Sequence, residues 1–370
     1  MNWLIVMAGG YGERFWPMSR RQHPKQLLPI VGRLSMIQQT VGRLRPLFDW
    51  SRIVVVTNRE QAALVRRQLP RLRHILAEPV GRNTAPCVAL AAAYVGKRDP
   101  AAVMSVVPAD AWVGDAARYR RIVRDAMRLA GAEPVLVTIG IRPTSPHTGY
   151  GYIQLGEKFE IRNTKPSPRD AEGRGRQYET EFWKAGRFVE KPDRATAERF
   201  LASGAYRWNA GMFVWSLSAV MAAFRRHQPD LLARCERIVQ SRSLGKALAR
   251  EYPRLEKISV DYAIMEKAGN VVVANGDFAW DDVGDWIALQ RHLARDVGGN
   301  AARGAWVGLD AEGCVVSSAD PSHLVAAVGV RDLVIVHTAD ATLVCKKSDT
   351  QKVRDLVRKL AAEKKYRKYL

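Results

Sequence analysis

The sequence predicts an α/β fold, in which a doubly wound, mainly parallel sheet is followed by a small β-rich domain. Over residues 3–150, short apolar runs alternate with helix-like segments, which is typical of parallel βαβ units. Beyond residue 304, short apolar runs follow one another before a terminal amphipathic segment. The length of 370 residues also favours two domains over one. We therefore expect a large domain at 1–295 and a small domain with a terminal helix at 296–370.

Each element of the large domain has a local signal in the sequence. The apolar runs that predict the first strands lie at residues 4–8, 53–57, 73–77, 103–107 and 135–140. The patterned stretches between them predict helices at 35–44, 60–68, 86–95 and 118–130. Asn83 is a favourable helix-capping residue and Pro86 is tolerated in a first turn, so a helix should begin near Thr84.

The regular alternation breaks at residues 157–187. Within this stretch, 162–177 is rich in Arg, Pro, Gly and Ser, which predicts a long exposed loop or a hairpin insertion. Regular structure resumes at 183–190 and 209–215, and helical patterns continue to about residue 267. The later runs predict strands at 315–317, 324–328, 333–337 and 342–345, and a terminal helix from about 349.

The composition argues against several classes of function. No apolar run has the length of a membrane span, and the first residues lack the basic segment of a signal peptide. The four cysteines lie far apart, so we expect neither a zinc site nor disulfides, and a cytoplasmic location fits best. The net charge of +21 is compatible with a nucleic-acid binder, but no nucleic-acid-binding motif accompanies it. We expect anionic small substrates, with neither a nucleic acid nor a membrane as partner.

A glycine-rich segment follows the first strand and precedes a Pro-Lys-Gln run. Gly9, Gly10 and Gly12 allow the backbone to turn tightly and approach a phosphate chain, whose oxygens backbone N–H groups can bind. Arg14 and Lys25 add charged donors for triphosphate oxygens. The segment lacks the Gly-Lys-Ser/Thr of a Walker loop and the third glycine of a dinucleotide fingerprint. It is a candidate polyphosphate-binding loop of another kind.

Several ordered segments together resemble the sugar nucleotidyltransferases, and within them the bacterial mannose-1-phosphate guanylyltransferases. The resemblance covers nearly the whole chain, and the combined order and spacing are far more specific than any one segment. It implies a Rossmann-like catalytic domain and a small β-helix-like domain that packs against it or mediates a homodimer. The matching segments are 9–20, 24–28, 78–86, 188–192, 208–213, 259–263 and 280–286.

The resemblance implies that GTP and mannose 1-phosphate react to give GDP-mannose and pyrophosphate. The sugar phosphate would attack the α-phosphorus in line, and no covalent nucleophile is readable in the sequence. Three alternatives remain open: another nucleotide and sugar 1-phosphate pair, a catalytically silent nucleotide-sugar regulator, and a nucleic-acid binder. The second isomerase domain of some larger relatives is not expected, because about seventy residues follow the predicted boundary.

The resemblance places a catalytic metal at two carboxylates, Asp110 and Asp282. Asp110 follows a predicted strand, at the edge where open α/β sheets bind ligands. Two carboxylates and phosphate oxygens suit Mg²⁺ or another divalent cation, and we prefer Asp282 to its neighbour Asp281. Ala111 departs from the histidine that is usual in the family, which affects the surroundings of the metal more than its ligands. Arg14, Lys25, Asp110 and Asp282 form the expected catalytic set.

The resemblance also assigns the two substrate sides of the site. In the nucleotide segment 78–86, the candidate base and ribose contacts are Glu78, Arg82, Asn83 and Thr84, although the same residues can simply start a helix. On the sugar-phosphate side, Glu190 can accept hydrogen bonds from hydroxyls and Lys191 can pair with the phosphate. The complete sugar-phosphate set is Gly151, Glu190, Lys191, Asn209, Gly211 and Asp261.

Overall fold

The computed structural model describes residues 1–161 and 178–370. The segment 162–177, for which we predict a loop or hairpin insertion, lies outside the described residues. The strands are β1 Asn2–Ala8, β2 Ile53–Asn58, β3 His74–Glu78, β4 Val103–Pro108, β5 Trp112–Val113, β6 Leu136–Ile141, β7 Gly151–Lys158, β8 Phe182–Glu190, β9 Tyr206–Ser216, β10 Val271–Gly276, β11 Trp280–Asp281, β12 Ala301–Arg303, β13 Ala305–Leu309, β14 Val315–Ser318, β15 Leu324–Val328, β16 Leu333–His337 and β17 Thr342–Lys346.

The described residues form ten α-helices, and the first four begin and end close to the predicted positions. They are α1 Met36–Leu44, α2 Ala62–Gln68, α3 Thr84–Gly96, α4 Ala116–Ala132, α5 Arg194–Ser203, α6 Leu217–His227, α7 Pro229–Gln240, α8 Leu244–Glu251, α9 Trp286–Leu289 and α10 Val353–Ala362. The predicted start of α3 is confirmed, since the Asn83 side chain accepts a hydrogen bond from N of Thr84 at 2.8 Å. In the described parts of the chain, no helix combines the length and apolar character needed to cross a bilayer.

The main sheet has the strand order β3-β2-β1-β4-β9-β6-β10-β8-β7. Strands β8 and β9 pair antiparallel with their neighbours, whereas β1 to β4 and the β6–β10 pair are parallel. The prediction of a mainly parallel sheet is therefore confirmed. Strands β7 and β10 are not among the predicted elements, because β7 starts within a glycine-rich turn and β10 follows a long helical stretch.

Helices cover both faces of this sheet, as the doubly wound prediction requires. Ile5 points into one cluster with α3, α6 and α7, while Leu4 and Val6 point into the other with α1 and α4. This alternation arises because successive side chains of a strand point to opposite faces. Both faces of the sheet are therefore covered by helices. The edge that a ligand can reach is the one at the carboxyl ends of the strands.

The C-terminal part is built from short, mostly parallel strands. One sheet has the order β12-β14-β16-β17, and β13 pairs with β15 in a second sheet. The pairs β12–β14, β14–β16 and β13–β15 are parallel and only β17 is antiparallel, an arrangement that matches the β-helix-like expectation. A short 3-10 helix at Lys347–Lys352 leads into α10.

A hydrophobic cluster, here called the joining cluster, connects the two parts of the molecule. It contains Phe15 and Trp16 of the glycine-rich segment, Val283 and Trp286 after the Asp282 turn, and Val353 of α10. Phe15, Val283 and Trp286 have no exposed area. Because both parts contribute to one core, the boundary at residues 295/296 stays a prediction.

Candidate active site

The glycine-rich loop is held tightly against Lys25. Gly12 has φ 65°, and a Cβ at this position would overlap Cβ of Lys25, so the loop needs glycine here. Nε2 of Gln26 donates to the carbonyl oxygens of Ala8 and Gly10, each at 2.8 Å. These hydrogen bonds fix the turn that follows β1 and bring Lys25 under it.

Lys25 connects three separate segments of the chain. Its side chain is 6% exposed, and Nζ donates to Oδ2 of Asp110 and to the backbone oxygen of Asp282, both at 2.8 Å. A buried ammonium needs such partners because the loss of hydration is costly. The predicted catalytic residues Lys25, Asp110 and Asp282 therefore lie together, at the carboxyl edge of the sheet.

The two neighbouring aspartates of the β11 turn have different surroundings. Asp281 accepts from Nε of Arg291 at 2.7 Å and from N of Val283 at 2.8 Å, and its Oδ2 lies 2.9 Å from Nε2 of His292. Although burial raises the pKa of Asp281, the hydrogen bonds from His292 and Arg291 lower it well below the usual range. Asp281 is thus fully engaged within the protein.

Asp282, in contrast, faces the cavity. Burial raises its pKa, and the positive charge of Lys25 opposes that rise. Gly284 leaves room for this carboxylate, because a Cβ there would lie 2.8 Å from Oδ2 of Asp282. Val283 between them has φ 46°, an uncommon conformation for a β-branched residue. The geometry favours Asp282 over Asp281 as the residue open to a ligand.

Tyr150 is a site residue that the sequence reasoning did not single out. Its hydroxyl donates to Oδ1 of Asp282 at 2.7 Å, and its ring packs edge-on against Trp208 and Trp280. Its only sequence signal was its place between Gly149 and Gly151. The tyrosine thus holds one carboxylate oxygen of Asp282 in place.

A cavity of about 280 Å³ lies beside these groups. Besides Tyr150, its wall includes Met7, Pro108, Ala111 and Trp280. The predicted site residues that line it are Thr84, Asp110, Gly151, Glu190, Asn209, Gly211, Asp261 and Asp282. Most of the predicted sugar-phosphate residues and both predicted metal ligands thus share one cavity.

The sugar side of the cavity is organised around Asp261. Nδ2 of Asn209 donates to Oδ1 of Asp261 at 2.7 Å, and Oδ1 of Asn209 accepts from N of Gly211 at 3.0 Å. Burial raises the pKa of Asp261, partly countered by the Asn209 hydrogen bond, and Glu190 raises it further. Lys191, with φ 47°, turns back to pair with Glu190 at 2.5 Å. A cluster of acceptors of this kind suits sugar hydroxyls.

The predicted nucleotide side is only partly at the cavity. Glu78 is buried and accepts from the hydroxyl of Tyr252, while Arg82 donates to the backbone oxygen of Pro253. Burial raises the pKa of Glu78 to about 7, although the Tyr252 hydrogen bond lowers it. Glu78 and Arg82 thus contact the segment after α8. Their nucleotide role stays a prediction.

Within the described parts of the chain, the remaining predicted nucleotide residues are not among those that line this cavity. Gly9 sits against Glu78, because a Cβ on Gly9 would lie 3.0 Å from Oε2 of that carboxylate. Gly10 contributes its carbonyl oxygen to Gln26. Arg14 donates from Nη1 to Oε1 of Gln351, a residue of the C-terminal part that the sequence did not indicate.

Asp110 and Asp282 fit a divalent cation. Each carboxylate has one oxygen engaged, with Lys25 or with Tyr150, and both residues line the same cavity. Mg²⁺ is typically bound by one or two carboxylates, with substrate phosphates and waters completing the octahedron. Within the described residues there is no cluster of three or more His, Cys, Asp or Glu that would form an all-protein metal site.

Comparison with known proteins identifies the relatives of this chain. The family model described as nucleotidyl transferase matches residues 4–296, and a model described as a MannoseP isomerase/GMP-like beta-helix domain matches 304–360. A mannose-1-phosphate guanylyltransferase of Klebsiella pneumoniae is 39% identical over 362 residues, which cover 95% of this chain and 72% of the relative. The mannose-1-phosphate guanylyltransferase of Escherichia coli K12 is 37% identical over 369 residues, which cover 97% of this chain and 73% of the relative.

A solved structure extends the similarity to three dimensions. The crystal structure described as a mannose-1-phosphate geranyltransferase from Thermus thermophilus has a TM-score of 0.82 and 36% identity. The match covers 97% of this chain and 99% of the other. Fold, site geometry and sequence similarity agree along nearly the full length of the chain. The chain therefore belongs to the nucleotidyl transferase family, in the group of the mannose-1-phosphate guanylyltransferases.

Proposed function

We propose that this protein makes GDP-mannose and pyrophosphate from GTP and mannose 1-phosphate. The observation that carries the proposal is the buried ammonium of Lys25, which joins Asp110 and Asp282 at a cavity lined by the sugar-side residues. The guanylyltransferase names of the relatives in Klebsiella pneumoniae and Escherichia coli support the choice of substrates.

In this proposal, the protein lowers the barrier by aligning two anions. The incoming sugar phosphate is already negatively charged, so the attack on the α-phosphorus needs no strong general base. Pyrophosphate leaves on the opposite side, and the charges of Arg14, Lys25 and Lys191 reduce the repulsion between the reactants. Fixed charges are effective here because they need no reorganisation during the reaction.

Asp110 and Asp282 are the proposed ligands of a divalent cation, with Mg²⁺ as the first candidate. When bound, such a cation supplies positive charge to the phosphate oxygens at the reacting centre. Tyr150 and Lys25 would keep the two carboxylates oriented toward the cavity, since each holds one oxygen. Ala111 lines the same cavity and is almost fully buried, so its methyl group leaves that wall apolar.

The nucleotide and the sugar would enter from opposite sides of this centre. Thr84 lies on the cavity wall at the start of α3, whose N-terminal N–H groups attract anions. Asn83, directly before it, has a positive φ of 67° and caps the helix through its side chain. Glu190 and Asn209 present acceptors and donors for the hydroxyls of the sugar ring.

A pyrophosphate-release assay across nucleotide and sugar 1-phosphate pairs tests this proposal. We expect the highest kcat/KM for GTP with mannose 1-phosphate, and no release when a chelator removes divalent cations. The ATP, UTP and dTTP arms, each combined with mannose or glucose 1-phosphate, are the matched controls. If another nucleotide and sugar 1-phosphate pair gave the highest kcat/KM, the proposed substrates would be wrong, while the proposed nucleotidyl transfer would stand. Tight GDP-mannose binding without turnover of any pair would support a regulator instead.

We also propose that the protein forms a homodimer through its β-rich part. Four apolar side chains on β13 and β15 are more than half exposed: Val307, Leu309, Leu324 and Val328. In the parallel register, Leu309 pairs with Val328 and Ala305 with Leu324, so these side chains share one face. Contiguous exposed apolar surface of this kind is typical of an interface.

Light scattering coupled to size-exclusion chromatography checks this expectation. At micromolar concentration, the protein should elute with twice the chain mass, and Val328→Lys should shift it toward the monomer because a charge would be buried in the interface. Val297→Lys is the matched control, since Val297 is a fully exposed valine outside β13 and β15. A wild-type monomer would contradict the proposal.

The proposed compartment is the cytoplasm. All four cysteines lie in the described residues, and each is a free thiol. Cys87, Cys235 and Cys314 are buried, and burial raises the pKa of the Cys87 and Cys235 thiols. Unreactive, reduced thiols are usual in a reducing compartment, which supports this location.

A further inference from the structure

The C-terminal part contributes a residue next to the proposed catalytic centre. Gln351 lies in the short 3-10 helix Lys347–Lys352, two residues before Val353 of the joining cluster. Phe15, one residue after Arg14, is fully buried in the same cluster. The backbones that carry Gln351 and Arg14 are therefore anchored in one core, and their relative position is fixed by packing.

The amide of Gln351 lies between a cation and an anion. Nη1 of Arg14 donates to Oε1 of Gln351 at 3.1 Å, and Nε2 of Gln351 donates to Oδ2 of Asp285 at 2.7 Å. Oδ1 of Asp285 accepts from N of Ala288 at 3.1 Å, so this carboxylate is itself held at the start of α9. An amide offers an acceptor and a donor at once, and it connects the two charged groups without neutralising either.

Resting on the function proposed above, we propose that Gln351 is a positioning residue that holds the guanidinium of Arg14 ready for the polyphosphate of the nucleotide. A guanidinium has five N–H donors, and a single hydrogen bond to Gln351 orients it while others stay available for phosphate oxygens. A carboxylate in place of the amide would compete with the phosphates for the same charge.

The position of Arg14 also bears on the carboxylate side of the centre. Asp285 follows Asp282 by three residues, so the Gln351 contact links Arg14 to the turn that presents Asp282. Because the Arg14–Gln351 hydrogen bond is exposed, its contribution to folding stability is small and its effect should be on substrate binding.

A double-mutant cycle on Arg14 and Gln351 tests the inference. Gln351→Ala should raise the KM for GTP by roughly tenfold, the factor expected for one charge-assisted hydrogen bond, with little change in the KM for mannose 1-phosphate. In an Arg14→Ala background, the same substitution should change the KM for GTP by less than about twofold, because it acts through the guanidinium.

Two further variants separate positioning from a merely structural role. Gln351→Glu keeps an acceptor for Arg14 but adds a negative charge beside Asp285, so it should weaken GTP binding more than Gln351→Ala does. Lys352→Ala is the matched control, since Lys352 is an exposed neighbour that pairs with Asp349. It should leave both KM values and the melting temperature unchanged.

The outcomes are distinct for the inference and for the proposed function. An unchanged KM for GTP in Gln351→Ala, or an equal loss with and without Arg14, would overturn the positioning role. Calorimetry can measure the Kd for GTP of the same four proteins, so the positioning role can be tested even if the protein has no catalytic activity. A wild-type protein that binds GTP but forms no GDP-mannose would contradict the proposed function only.

Discussion

Lys25→Met is expected to lower kcat/KM for GDP-mannose formation by about 10²–10³-fold, the cost typical of losing one preorganised charge. The substitution keeps most of the aliphatic length and removes the ammonium that binds Asp110 and the backbone of Asp282. Without that charge, the reacting anions repel each other more strongly, and the Asp110 carboxylate loses its partner. Steady-state pyrophosphate release measures the effect.

The control for this prediction is a lysine remote from the cavity. Nζ of Lys97 donates to the backbone oxygen of Val239 at 3.0 Å, so Lys97→Met removes a comparable hydrogen bond without touching the site. It should retain activity close to that of the wild type. A folded Lys25→Met protein with kcat/KM within tenfold of the wild type would show that the ammonium is not a main source of the rate.

Replacing Asp281 or Asp282 by asparagine should affect two different properties of the protein. Asp282→Asn should lower kcat by about 10²–10³-fold, because it removes a proposed metal ligand and a charge at the reacting centre. Asp281→Asn should instead lower the free energy of unfolding, by on the order of 2 kcal/mol, because it weakens buried hydrogen bonds to Arg291 and His292. Parallel kinetic and denaturant-unfolding measurements separate the two effects.

The two aspartates should also change the pH dependence of the free energy of unfolding in opposite directions. The pKa of Asp281 is lowered on folding, so its stabilising effect is present above the unfolded pKa and is lost only as the pH falls through the lower folded value. The pKa of Asp282 is raised, so its ionisation costs stability as the pH rises above the unfolded value. Asp282→Asn should therefore gain stability relative to the wild type between acid and neutral pH.

Equal kinetic effects of the two substitutions would contradict the assignment of separate roles. The same holds if Asp281→Asn is as stable as the wild type at neutral pH. Ser218→Ala is a suitable folding control, because Ser218 is an exposed residue at the start of α6, remote from both aspartates. Its melting temperature should match that of the wild type.

Local patterns in the sequence were sufficient for most of the fold. The strands β1 to β4 are short apolar runs bounded by helical patterns, and the cap at Asn83 is a local signal. Strand β10 lacked such a signal, because its short apolar run of four residues after a long helical region has no periodicity that separates strand from helix. Its place between β6 and β8 depends on pairing partners more than 80 residues away.

The sequence by itself predicted the glycine-rich loop, the sugar-side residues and the choice of Asp110, because each lies in a contiguous motif that resembles the family. The sequence favoured Asp282 over Asp281, but only the tertiary structure gives the physical reason: Arg291 and His292 engage Asp281, whereas Asp282 lines the cavity. The tertiary structure also decided that Gln351 lies beside Arg14, 337 residues away in the chain. Contacts of this kind arise from packing around a shared core, and packing has no period or spacing that can be read along a sequence.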